Sequence, residues 1–230
     1  FWWRVDNLPA DPLQPPYEWY RPLAPIRGEP GPFLPLAGER RTWPAAALEA
    51  AERVAAQADS DALLIAHRGV VQLERYFRGD ATTRFSSHSF AKTLNALAIG
   101  IAIGDRTIAG VDEPASRWLP EWRDPARAAI RLRDLLTMSG GFDTRPDLDP
   151  GSRFMQVYYG ADVVELVRHA LPVAPPGTRY AYDNYNNHAL GLVIERATGV
   201  PYREFVERRI WRPLGAGDAE VLLDRTGGRA

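Results

Sequence analysis

Residues 90–103 read FAKTLNALAIGIAI, a run that is apolar on nearly every helical face. Such a helix hides from water only if it is surrounded, so the run predicts a buried central helix with other layers packed around it. The chain is 230 residues long, enough to build those layers as one large domain or two small ones. Inside the apolar run stands Lys92, the only lysine in the chain. Lysine and arginine together number 28, so the other 27 cationic side chains are arginine. Three residues before Lys92 stands Ser89.

Residues three apart are neighbours on one face of a helix, so Ser89 and Lys92 are expected side by side in its first turn. The positive end of the helix dipole there stabilises an alkoxide on serine and disfavours charge on lysine, and apolar burial lowers a lysine pKa further. A lysine that turns neutral near working pH can serve serine as a general base. Arginine, with a pKa above about 12, cannot. A serine and a base at this spacing point to acyl transfer, which also requires a second polar motif elsewhere in the chain.

The surrounding pattern is helix, hairpin, then a mostly helical block, which fits an antiparallel sheet packed on helices, an α+β fold, rather than a doubly wound sheet. Residues 1–44 hold ten of the 20 prolines and show neither helical nor strand period, so they are expected as an extended arm. Its aromatics Trp2, Trp3, Tyr17, Trp19 and Tyr20 suggest that it packs on something. Pro44 opens a helix through AAALEAAERVAAQA. ALLIAHRGVVQLERYF predicts a β-hairpin turning at Arg68-Gly69. RLRDLLTMSGGF predicts a short helix stopped by Gly140-Gly141. Residues 142–160 read as a long irregular loop in which Tyr158 and Tyr159 either line a pocket or simply pack. ADVVELVRHAL predicts a helix, the segment after Asn184 a longer one ending at Gly199, and Pro201 opens another through about Trp211.

Composition excludes several classes. Net charge is −1, without the basic excess that a nucleic-acid backbone demands. There are no cysteines, so disulfides, thiol catalysis and cysteine-based zinc sites are out. The four histidines have no metal-ligand spacing, DLDPG lacks a calcium-loop pattern, and no catalytic metal is expected. No run of 18 apolar residues exists. The Met-less start, FWWRV, is compatible with a removed signal peptide or anchor and a periplasmic or secreted protein, or with a cytoplasmic one.

The second polar motif is Tyr182-Asp183-Asn184, a Y-x-N between an extended piece and a helix. A phenol beside a lysine can relay the serine proton, and an asparagine amide can hold the lysine and a substrate carbonyl. From the residues alone, Tyr182 could equally be a core aromatic and Asn184 a helix cap. Asp183 either touches substrate, faces solvent or caps the helix. His88 adjoins Ser89 but adjacent helical residues do not face each other.

With SFAKTL, LRDLLTMSGGF, PGTRYAYDNYNNHALGLVIERATG and IWRPLGA in this order, the chain resembles the serine beta-lactamase-related hydrolases from about residue 45 to 225. That family includes class C beta-lactamases, D-amino-acid peptidases, beta-lactamase-fold esterases and 6-aminohexanoate-dimer hydrolases. The resemblance implies Ser89 as acyl-enzyme nucleophile, Lys92 as its base, Tyr182 as proton relay, Asn184 as the substrate-binding asparagine, and the Ser89 backbone N–H as half an oxyanion hole. It implies a helical and an α/β subdomain with the site between them, a small amide or ester as substrate, and no cofactor. The long arm and LLTMSGGF lean toward the 6-aminohexanoate-dimer hydrolase and esterase branch. Beta-lactamase or D-peptidase activity is the alternative, as is a non-catalytic relative that binds cell-wall peptide or a partner. The family's third motif, K-T-G or H-x-G on a later strand, is not matched convincingly. Arg225-Thr226-Gly227 lies in a glycine-rich turn, and His67-Arg68-Gly69 precedes the serine in the expected hairpin. A domain over 45–230 that lacks its C-terminal strands is therefore the expectation.

Overall fold

The computed structural model describes residues 22–31, 34–38, 41–142 and 162–223, with the single positions 7 and 156. The five arm aromatics, Tyr158, Tyr159, DLDPG and Arg225-Thr226-Gly227 lie outside the described residues. The chain divides into two units, residues 30–88 and residues 1–29 with 89–230.

In the smaller unit, helix α1 (Ala45–Gln57) packs on the hairpin of strands β2 (Ala62–His67) and β3 (Val70–Tyr76). The hairpin turns where the sequence predicts. Arg68 and Gly69 have φ of 50° and 76°, the pair of positive values that a two-residue turn matched to strand twist requires. Pro44 is the cap of α1 rather than its first residue. A bulge between Ile65 and Ala66 shifts the register. Leu36 bridges Val71, so part of the segment read as an arm pairs alongside β3.

The larger unit also draws on that segment. Leu23–Ile26 form strand β1, antiparallel to β4 (Ala219–Leu222), with Leu23 opposite Leu222 and Ile26 opposite Ala219. Pro25 masks this strand from a sequence reading, yet among the described residues β1 pairs only with β4. An edge strand tolerates a residue that lacks an N–H.

The rest of this unit is helical. Helix α2 (Lys92–Gly104) lies against α5 (Asn184–Thr198), with α3 (Leu132–Leu136), α4 (Val163–Arg168) and α6 (Tyr202–Val206) around α5. A π-helical turn, Glu207–Trp211, continues α6. The core includes Ile99, Trp122, Leu132, Leu135, Phe142, Val193 and Ile194. Rings of Trp122, Phe142 and Tyr185 stack obliquely at 5.6 and 5.7 Å, and Trp122 Nε1 donates to Val167 O at 2.9 Å. Arg127 ties α4 down by donating to the carbonyls of Arg168 and Glu121.

Two local expectations are corrected. The apolar run is not buried on every face. Asn95, Ala98, Ile99 and Ala102 are buried, whereas Phe90 is 73% exposed and Leu97 46% exposed. Its uniform apolarity hid a one-sided contact, the side that meets α5. The short helix α3 ends at Leu136, before the glycines, and Met138 takes the left-handed conformation with φ of 54°. Gly140 and Gly141 serve another purpose.

Candidate active site

Ser89 lies in a short 3₁₀ turn, His88–Ala91, and Lys92 is the first residue of α2. The expected placement of both in the first α-helical turn is thus one turn late. The 3₁₀ geometry serves the pair well, because side chains three apart eclipse one another there. Lys92 Nζ donates to Ser89 Oγ at 3.1 Å. His88, exposed, precedes Ser89 with φ of 42°.

Tyr182 arrives from the other side. Its hydroxyl donates to Ser89 Oγ at 2.5 Å, and Lys92 Nζ sits 5.1 Å from the centre of its ring. Burial raises the phenol pKa, but hydrogen bonds to Ser89 and Lys92 and the lysine charge outweigh it, leaving the phenol below the usual tyrosine range. A hydroxyl oxygen has two lone pairs and one proton. Here both lone pairs of Ser89 are engaged by groups that can each exchange a proton with it.

Tyr182 is held by two segments. Residues 138–141 form a ladder with residues 173–181: Ala181 N–H donates to Met138 O at 2.9 Å, Gly177 N–H to Ser139 O at 2.8 Å, and Val173 N–H to Gly141 O at 2.8 Å. The glycines permit this approach. A Cβ on Gly141 (φ 89°) would stand 2.2 Å from Ala174 O, and one on Gly140 would stand 2.4 Å from Asn186 Oδ1. Behind Tyr182, Asp183 caps α5: its Oδ1 accepts from Asn186 N at 3.2 Å, and its Oδ2 from Asn186 Nδ2 at 3.0 Å. Asn186 Oδ1 in turn accepts from Gly140 N at 3.2 Å. Of the roles open to Asp183, the structure takes the cap.

Asn184 is the first residue of α5 and is buried. Its Oδ1 has no donor among the described residues. The geometry therefore joins Ser89, Lys92 and Tyr182, with Asn184 two residues along the chain from the phenol. All four belong to the larger unit. Three features escape a sequence reading: the glycine ladder, the fully buried Asn186, and a contact from Asn95 on α2 to Asn187 on α5. The signal for the last two is asparagine inside helices, where it is a poor former. Among the described residues no cluster could hold a metal, and no helix is long and apolar enough to cross a membrane.

Known proteins share this arrangement of elements. A solved structure named "Putative 6-aminohexanoate-dimer hydrolase from Bacillus anthracis" superposes with a TM-score of 0.77 over 97% of this chain and 66% of that one, at 20% identity. This chain thus has the beta-lactamase/transpeptidase-like α+β fold. A D-aminopeptidase of Cereibacter sphaeroides is 28% identical over 71% of this chain and 32% of its own length. The esterase EstB of Burkholderia gladioli is 28% identical over 59% of this chain and 38% of its own length. The matches thus span about a third of these two relatives. Residues 45–228 match the family described as Beta-lactamase, which places the chain in that family.

Proposed function

We propose that the protein is a serine hydrolase that cleaves an amide or ester through an acyl-enzyme on Ser89. The observation that carries the reading is the pair of hydrogen bonds from Lys92 and Tyr182 to one serine oxygen. Ser89 Oγ attacks the substrate carbonyl carbon. Its proton passes to Lys92 as general base and through Tyr182 to the departing nitrogen or oxygen. The Ser89 backbone N–H donates one hydrogen bond to the oxyanion, and Asn184, two residues along the chain from Tyr182, serves as the substrate-binding asparagine. Water then attacks the acyl carbon, releases the acid and returns the proton to Ser89.

The esterase and 6-aminohexanoate-dimer branch is preferred, supported by the EstB likeness and the fold shared with the Bacillus anthracis structure. A D-peptidase reading draws on the longer D-aminopeptidase match. Turnover of a short-chain p-nitrophenyl ester against D-alanine p-nitroanilide separates them.

Labelling the full-length protein with a fluorophosphonate and mapping the adduct tests the nucleophile. Attachment at Ser89 is expected; attachment elsewhere, or none, overturns the assignment. Tyr182→Phe is expected to lower kcat/KM by about 10²-fold, the low end for a lost proton relay. A phenol that must ionise to take a proton makes the rate rise with pH through its pKa. Because that pKa is lowered, the rise falls below the ordinary tyrosine range, and it should vanish in the phenylalanine variant. A pH–rate profile of both proteins checks this.

A further inference from the structure

Helices α2 and α5 run side by side in the same direction. Near their starts Ser89 meets Tyr182, and one turn further Asn95 meets Asn187. At their far ends Asp105 and Thr198 line a common cavity of about 320 Å³. The distance between the serine and the tyrosine therefore depends on how these two helices are registered along their shared length. The side chains that the two helices bury are mostly apolar, and apolar contacts resist separation but are non-directional and fix sliding weakly.

Asn95 supplies the direction. It is buried, one turn beyond Lys92 on α2. Its Nδ2 donates to Asn187 Oδ1 at 2.8 Å and to Asn187 O at 3.0 Å. Its Oδ1 is buried with no donor among the described residues. An unpaired buried carbonyl costs stability that a leucine of similar shape would not incur. Asn95 is thus poorly explained as a packing residue. The adjacent Asn186 binds Gly140 on the ladder that carries Tyr182. The two consecutive asparagines consequently fasten α5 to two different partners, one bearing Ser89 and Lys92, the other leading into Tyr182.

We infer that Asn95 and Asn187 form a polar clamp that sets the register of α2 against α5, making both positioning residues that hold Ser89 and Lys92 in reach of Tyr182. This inference rests on the hydrolase reading for its kinetic consequence but not for its geometric one.

Asn95→Leu and Asn187→Ala test it, alone and combined, in the full-length protein. Acylation of Ser89 by the fluorophosphonate should slow by about tenfold in each single variant, and the double variant should fall no further, the non-additivity of two groups sharing one interaction. The melting temperature of Asn95→Leu should stay level or rise. A purely structural asparagine would give the opposite pattern, lower stability with unchanged acylation, and that result overturns the clamp. Multiplying losses in the double variant would overturn it too. A second readout needs no catalysis: the ionisation of Tyr182, followed by NMR of ring-labelled tyrosine, should move back toward the ordinary tyrosine value in both single variants. If the wild type does not acylate, the hydrolase reading fails while this titration still decides the clamp: an unmoved tyrosine refutes it.

Discussion

Lys92→Arg should slow acylation of Ser89 by about 10²–10⁴-fold, the range for loss of a positioned general base. Ser89→Ala should leave no acyl-enzyme at all and sets the floor for the comparison. Arginine keeps a cation beside Tyr182 and Ser89 but cannot give up its proton at any working pH. The substitution therefore separates charge from basicity. Chromogenic ester turnover, wild type against both variants, is the measurement. A Lys92→Arg enzyme with near-normal turnover would refute Lys92 as the base. Proton abstraction would then fall to Tyr182, whose phenol is already held low by its hydrogen bonds to Ser89 and Lys92 and by the lysine charge.

Gly141→Ala should destabilise the protein by about 3 kcal/mol or more. Left-handed strain for a residue with a Cβ costs about 1–3 kcal/mol, and forcing an atom into a packed site costs a similar amount. Both apply at Gly141, with φ of 89° and a Cβ position 2.2 Å from Ala174 O. The obstacle is backbone, so no rotamer change relieves it. For a chain of this size that loss lowers the melting temperature by about 6–12 °C. Gly199→Ala is the control. Gly199 also has positive φ, 68°, but nothing within 4 Å of the added Cβ. Its cost should be about 1–2 kcal/mol, the left-handed backbone term alone. Equal melting temperatures for the two variants would show that the ladder yields to the intruding methyl group.

The parts of this molecule that follow from local chemistry are visible in the sequence. The Arg68-Gly69 turn, the cap role open to Asp183, the stop at Gly199 and the eclipsed Ser89–Lys92 pair depend on a few adjacent residues. The Y-x-N motif marks Tyr182, but its meeting with Ser89 bridges 93 residues, and no local rule specifies it. In sequence Gly140-Gly141 signals a helix stop, as Gly-Gly after an amphipathic helix does. Their actual task, admitting the strand-like segment that leads to Tyr182, belongs to a partner about 35 residues away. β1 was hidden for a different reason: prolines mask strand character unless the strand is known to lie at an edge. The exposed face of α2 is not legible in sequence, because an apolar run reports what could be buried and not which side meets α5.

The pairing of β1 with β4 has a consequence for how the chain is made. Leu23 lies opposite Leu222, so the larger unit closes only when segments about 200 residues apart have met. The smaller unit, residues 30–88, is continuous in sequence and sits within that span. As synthesis proceeds, it can form its hairpin and helix from local contacts alone. The larger unit must wait, with β1 unpaired and exposed, until β4 leaves the ribosome. Completion of the larger unit is therefore tied to the synthesis of β4, and β1 needs protection until then.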